Sequence, residues 1–321
     1  MTQNPMPLRA LRCALSLLLV SQSAVALAEP TGVSVRNEAS TARGFLLPAL
    51  GRDPAGQGWS LQLDLSNEFV VQQEPGESLI LDSETASLRP NWQGRYGDWA
   101  LGVDLQFLHQ GGGFMDGPIQ DWHEFFGLPN AGRERRAEDQ IRIQYQRDDN
   151  SLVDFSNSGA GLGDTQLWLG RSLGEHSLWR VALSLPTGDE AQLRGSGELG
   201  VGGWLESQWQ GSRFSGFTAV GLSHNPAGGL LAELRRETVG YAGAALNWRW
   251  TEWLLMRSQL YAHSPLYENT RIEALERPGL QLSLGGTLQF GAVAVDILFQ
   301  EDLVTTSSSD FAWHLAVRLG N

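Results

Sequence analysis

Cysteine is nearly absent: the 321 residues hold one, Cys13, so no disulfide within the chain can staple the fold. Also missing is any apolar run of the roughly 20 residues that a membrane-spanning helix needs. The longest, around Cys13–Val20, is broken by Gln22 and Ser23. Charge is sparse, at 18% of residues, and positive charge sparser still, with 23 basic against 36 acidic side chains. A net charge of −13 argues against a nucleic-acid partner, whose phosphates call for a basic surface.

Residues 1–28 have the pattern of a secretory leader. Arg9 and Arg12 precede the apolar core, and Ala26-Leu27-Ala28 makes a small-residue cleavage site before Glu29. Leu11-Arg12 before Cys13 lacks the small residues of a lipoprotein site, so no lipid anchor is expected. Cleavage after Ala28 removes the cysteine and two arginines, leaving 21 basic side chains against 36 acidic and a net charge of −15. An exported chain with no later apolar run has two destinations, the soluble periplasm and the bacterial outer membrane.

What fills the rest of the chain is alternation. Trp99, Leu101, Val103, Leu105 and Phe107 fall on one face, and Ala100, Gly102, Asp104 and Gln106 on the other, a period of two that belongs to a strand. Such runs recur, at 59–71, 84–95, 139–147, 151–156, 163–173, 177–185, 199–210, 214–224, 238–250, 253–263, 280–290, 293–300 and 310–319. Pro90 weakens the second run, because proline removes a ladder donor.

Short connections near 96–98, 148–150, 174–176, 211–213, 251–252 and 291–292 separate longer ones near 72–83, 110–138, 157–162, 187–197, 225–236, 264–278 and 301–309. Short periplasmic turns and long external loops mark an outer-membrane β-barrel. The pattern predicts an all-β, antiparallel transmembrane barrel of about 14 strands over residues 59–321, or 12 if the two segments at 139–156 merge. Residues 29–58, with Pro30, Pro48 and Pro54 and no sustained alternation, form a periplasmic or lumen-entering N-terminal segment. Mean hydropathy of −0.22 fits, because a barrel's inner face is polar.

Tryptophan supports the same topology. Trp59, Trp92, Trp99, Trp179, Trp209, Trp248, Trp250 and Trp253 all lie near a short turn or the start of the first strand. Such rings gather at the membrane interface as an aromatic girdle. The chain ends Leu319-Gly320-Asn321, without the terminal aromatic residue usual in these proteins.

Facing inward are Arg89, Arg95, Arg142, Arg180, Arg249, Arg257 and Arg318, against Asp64, Glu68, Asp104, Glu206 and Asp296. They suit either a charged constriction that selects solutes or internal ion pairs that hold the walls. Among the histidines, alternation turns His109 and His224 to lipid and His263 and His314 to the lumen. No pair has metal-ligand spacing, so neither a metal nor another cofactor is called for. Ser156-Asn157-Ser158-Gly159 superficially resembles the serine motif of outer-membrane phospholipases, but Asp154 stands where a histidine is expected. No complete catalytic constellation emerges.

The loop at 110–138 carries the most information. Pro118 can open a short helix whose Ile119, Trp122, Phe125 and Phe126 recur near helical spacing, with Asp121, His123 and Glu124 opposite. Gly112-Gly113-Phe114-Met115-Asp116, Ile119, His123, Phe126-Gly127-Leu128 and Arg133 resemble the core of the domain-of-unknown-function 3187 family. So do Val35-Arg36-Asn37, Gly44-Phe45, Leu47-Pro48, Gly161-Leu162-Gly163-Asp164 and Leu185-Pro186-Thr187-Gly188-Asp189. The resemblance implies an outer-membrane protein of Gram-negative bacteria and carries no activity. The expectation is a monomeric barrel, surrounded by outer-membrane lipid and lipopolysaccharide, that passes or binds a small solute. The 110–138 loop is expected to close its mouth, anchored by Asp116, Trp122, His123, Phe126 and Arg133; a rim-docked or flexible loop is the competing arrangement. A lipid hydrolase and a structural barrel with a plugged lumen are the alternative functions.

Overall fold

The period-two runs form strands, and the ladder they make closes on itself. The computed structural model describes residues 31–53, 56–127, 132–148, 150–304 and 307–319; the expected leader, residues 1–28 with cleavage after Ala28, lies outside them. The strands are β1 (Gly58–Glu74), β2 (Glu77–Tyr96), β3 (Trp99–Asp104), β4 (Phe107–Gly111), β5 (Arg142–Arg147), β6 (Asn150–Phe155), β7 (Gly159–Leu162) and β8 (Thr165–Ser172). They continue with β9 (Ser177–Leu185), β10 (Gly200–Gln210), β11 (Phe214–His224), β12 (Thr238–Arg249), β13 (Leu254–His263), β14 (Gly279–Phe290), β15 (Val293–Asp302) and β16 (Phe311–Leu319). Two helices, α1 (Asp116–Phe126) and α2 (Glu273–Glu276), lie in long connections.

Around the wall the order is β1-β16-β15-β14-β13-β12-β11-β10-β9-β8-β3-β2, all antiparallel, and β2 returns to β1 from Gly58↔Gln93 to Glu74↔Glu77. β4 prolongs β3, and β7 leads into β8, so the closed wall has 12 strands. The expected 14 are thus corrected to the alternative of 12. β5 and β6 do not cross: they pair with each other, and β5 pairs with Glu77–Asp82 of β2. Asp148 N donates to Gly76 O at 2.9 Å, so the 148–150 turn stands beside the β1–β2 tip and not at the short-turn end. Its alternation belongs to a hairpin above the barrel, whose own apolar face of Ile143, Tyr145 and Val153 is buried. Residues 72–83, expected as a loop, continue β1 and β2 to a tight turn at Pro75-Gly76.

Pro90 explains the one break in the third wall strand. A strand residue points its N–H and C=O at the same neighbour, and the Pro90 carbonyl accepts from Leu105 N at 3.1 Å. The donor that proline lacks is therefore missing on that side, where β3 gives way to β4 at Leu105-Gln106. Opposite, Gly163 N donates to Gln106 O at 2.8 Å across the matching break between β7 and β8.

Faces follow parity. On β1, Gln62, Asp64, Ser66 and Glu68 are buried inside while Trp59 and Leu61 are exposed outside. Leu167↔Leu183 and Leu169↔Val181 pair across β8 and β9 on the exposed face, as alternation requires. At the short-turn end Trp59 pairs with Trp92, Trp99 meets Trp179 at 5.6 Å, and Trp248 stacks on Trp250 at 5.3 Å.

Residues 31–53 fill the barrel. Asn247, near the short-turn end, donates to Thr31 O at 2.9 Å; at the long-loop end Tyr267 donates to Thr41 O at 2.6 Å. The segment then turns back, so that Gly32 N reaches Gly51 O at 2.8 Å. Both glycines lie against the Phe217 ring, where an added Cβ would come within 2.6 Å, and Gly51 holds a φ of 73°. Phe45, Leu46, Leu47 and Leu50 are buried with Trp168, Trp204, Phe217, Tyr241 and Tyr261 of the wall. Each such side chain contributes about 1.5–3 kcal/mol of transfer free energy. Leu231 and Leu234 of the 225–237 loop and Leu266, Ile272 and Leu275 of the 264–278 loop complete this cluster over the mouth.

Candidate functional site

The lumen and the segment that fills it form the candidate site, and three ionic clusters organise it. In the first, Asp64 of β1 and Arg89 of β2 face inward across the β1–β2 ladder and meet at 2.8 Å. His314 of β16 lies 2.6 Å from the same carboxylate. Arg89 also donates to Ser34 O at 2.8 Å and lies 3.4 Å from Glu38, itself paired with Arg36 at 3.1 Å. In the second cluster Arg52 pairs with Asp104 at 2.6 Å, and Arg180 donates to Arg52 O at 2.6 Å. Both guanidiniums lie over the Trp168 ring, at 5.6 and 5.2 Å, and Glu206 stands 3.8 Å from Arg180. In the third, Arg318 grips Asp296 through two bonds of 2.9 Å, while Arg257 reaches Asp296 through Thr287.

Glu68 joins the segment to the wall apart from these clusters, accepting from Ser40 N at 2.9 Å, Ser40 Oγ at 3.0 Å and Ser83 Oγ at 2.7 Å. Arg249 keeps inward parity at the short-turn end and is half-buried. Arg142 is corrected: it sits on the hairpin above the barrel and pairs with Asp154 at 2.5 Å in solvent. The alternation of β5 is sound, but the strand is not part of the wall, so its polar face has no lumen to line.

Much of the lumen's charge comes from residues that periodicity could not reveal, namely Arg36, Glu38, Arg43 and Arg52. They lie in a stretch without strand pattern. The available signal was the set of family-like pieces within it, Val35-Arg36-Asn37, Gly44-Phe45 and Leu47-Pro48. At the mouth, burial pushes the Tyr267 phenol up to about 12, so it stays a neutral donor to Thr41 O.

Asp116 and Arg133 come together as expected, at 2.6 Å, but on the other side of the wall. Asn67 and Phe69 share outward parity with Trp59 and Leu61; Arg133 donates to Asn67 at 2.7 Å and its guanidinium covers the Phe69 ring at 5.0 Å. Glu84, outward on β2, accepts from the backbone N–H groups of Phe114 and Met115, and Arg136 pairs with Asp82 at 3.0 Å. α1 therefore docks on the outer face of β1 and β2, with Trp122 and Phe126 exposed and His123 half-buried. The described part of the 110–138 loop, expected over the mouth, is thus corrected to the outer face, while the 225–237 and 264–278 loops pack on the lumen segment. The reason lies in β1 and β2, which rise beyond the rim and present polar outward residues that capture Asp116, Arg133 and Arg136. Ser158 and His109 both border Gly111 on this outer side, but among the described residues no hydrogen bond joins them as nucleophile and base.

The family model described as Protein of unknown function (DUF3187) matches residues 11–320. The chain belongs to this family. Among proteins of curated function none matches the sequence. Among solved structures, this DUF3187 member resembles the COG4313 outer membrane channel from Pseudomonas putida F1, with 17% identity and a TM-score of 0.50 over 83% of this chain and 96% of that one. It also resembles the NanC porin, at 6% identity and a TM-score of 0.45 over 82% of this chain and 100% of that one. The CymD monoaromatic hydrocarbon channel matches at 9% identity and a TM-score of 0.42, over 91% of this chain and 94% of that one. The likeness to the first is one of fold, that of an outer-membrane β-barrel.

Proposed function

We propose that this DUF3187 protein is a monomeric outer-membrane channel for a small polar solute, and that residues 31–53 are its movable gate. One observation carries the reading: the segment fills the lumen without joining the ladder. The wall closes through β1–β2 with no strand from residues 31–53. The segment is held by side chains, such as Gln259, which accepts from Val33 N at 2.9 Å and donates to Val33 O at 3.1 Å. Asn37 is held between His263 at 2.9 Å and Ser307 O at 3.0 Å. Contacts of this kind can release one by one while the barrel stays whole, and the wall left behind is lined by Asp64, Arg89, Asp104, Arg180 and Asp296, groups that favour polar cargo.

A tether tests the gate. The N37C/S307C pair, on a C13S background, joins the segment to the mouth when oxidised and frees it when reduced. Conductance in a planar bilayer after reduction, and its loss on oxidation, is the expected result. Silence in both states makes the protein a sealed structural barrel. Equal conductance in both means that passage needs no movement of the segment.

A further inference from the structure

α1 is amphipathic in an uneven way. Ile119 and Asp116 face the wall and are buried. At about 100° per residue, Phe126 and Trp122 follow Ile119 round one flank and Phe125 lies beyond them, while Gln120 and Glu124 take the other flank and Asp121 points away from the wall. Trp122 is 52% exposed, Phe125 81% and Phe126 53%, and their rings pack together at 4.5 and 4.9 Å. The line along which α1 touches the barrel thus divides an aromatic flank from an acidic one. That is the arrangement of a helix lying in a membrane interface, with hydrocarbon on one side and water on the other.

Its height agrees. Asn67, beneath α1, is eight residues along β1 from Trp59 of the short-turn girdle. Eight residues rise about 26 Å along a strand, or about 20 Å along the axis of a barrel with strands tilted 35–45°. The apolar band of such barrels is about 25 Å tall, so α1 sits at its opposite boundary. The neighbouring strand continues the surface sideways: Phe311 of β16 pairs with Asn67 and meets the exposed Trp313 at 5.6 Å.

We propose that α1 is an interfacial anchor that seats Trp122, Phe125 and Phe126 among the acyl chains of the lipid leaflet at the long-loop end. Lipid, rather than a second copy of the chain, is the occupant because α1 docks, through Asn67 and Glu84, on the same outward face that carries the exposed Leu61 and Trp313. The inference rests on the membrane placement proposed above. The Asp116–Arg133 pair and the Glu84 bonds hold the helix in place, so little ordering remains for insertion to impose.

Depth-dependent quenching tests it. On a C13S background a nitrobenzoxadiazole label goes onto F125C, onto E124C on the acidic flank, or onto L315C on the exposed face of β16. Each protein is reconstituted in phosphatidylcholine vesicles carrying doxyl-labelled chains. The label at 125 is expected to lose most of its emission to the lipid-borne doxyl and little to aqueous iodide, with the label at 124 showing the reverse. Iodide quenching of 125 equal to that of 124, or protection of 125 from both quenchers, overturns the anchor while L315C still reports lipid. If L315C itself escapes doxyl, the membrane placement falls, and the anchor with it.

Discussion

Arg52 donates to Asp104 at 2.6 Å, which ties the segment leaving the lumen to the wall strand β3 just below the break that Pro90 imposes. Both side chains are about nine-tenths buried. Removing one charge of a buried pair costs about 3–5 kcal/mol, toward the lower figure where some water reaches the pair. Asp104→Asn should loosen the segment at Arg52 and raise the frequency of opening in single-channel records. An unchanged record would show that this pair holds the wall and not the gate.

Gln259 is the side chain that best mimics a ladder partner for the segment. Gln259→Leu leaves the Val33 N–H buried without its partner, a cost of about 1–3 kcal/mol, while the Val33 carbonyl keeps Val35 N at 2.8 Å. Faster hydrogen exchange at the Val33 amide, with exchange along β13 unchanged, is the expected outcome. Faster exchange along β13 as well would mean that the segment supports the wall.

Asp164 explains why the Gly163-Asp164 and Pro186-Thr187-Gly188-Asp189 pieces occur together. Its carboxylate accepts from Gly188 N at 3.0 Å, Ser196 N at 2.8 Å and Ser196 Oγ at 2.7 Å, which pins the 186–199 connection. Asp164→Ala should expose Arg194 to trypsin in the folded, reconstituted protein, where wild type resists. Equal resistance in both would leave Asp164 without the pinning role.

Leu315 marks the lipid face of β16 and is 43% exposed. Leu315→Arg should destabilise the inserted barrel by about 2–4 kcal/mol in a vesicle-based urea titration, the usual cost of arginine near mid-membrane. Leu315→Phe should be close to neutral. A neutral arginine at this position would place the membrane band elsewhere on the wall.

The strands were readable because each has a wet or packed polar face and an apolar one, and a period of two survives in the chain whatever the strand pairs with. Leu61, Leu167, Val181 and Leu315 show this on the outside, Asp64, Arg89, Asp104 and Asp296 on the inside. The same reading miscounted at β5 and β6, since a hairpin that buries one face against loops alternates like one that crosses lipid. Only pairing, with β5 set on the tip of β2, separates the two cases.

Other features lie beyond any local pattern. Residues 31–53 have no period because they form no ladder; their place in the lumen depends on partners far along the chain, such as Gln259, His263 and Tyr267. α1 was legible as an amphipathic helix, and Asp116 and Arg133 as its anchors. Which side of the wall they hold was settled by Asn67, Phe69 and Glu84, outward residues on strands that overshoot the rim. Local alternation and composition determine a barrel strand by strand, because they record which face meets hydrocarbon. What fills that barrel, and which loops close it, depends on contacts between distant segments, and these only the closed wall brings within reach.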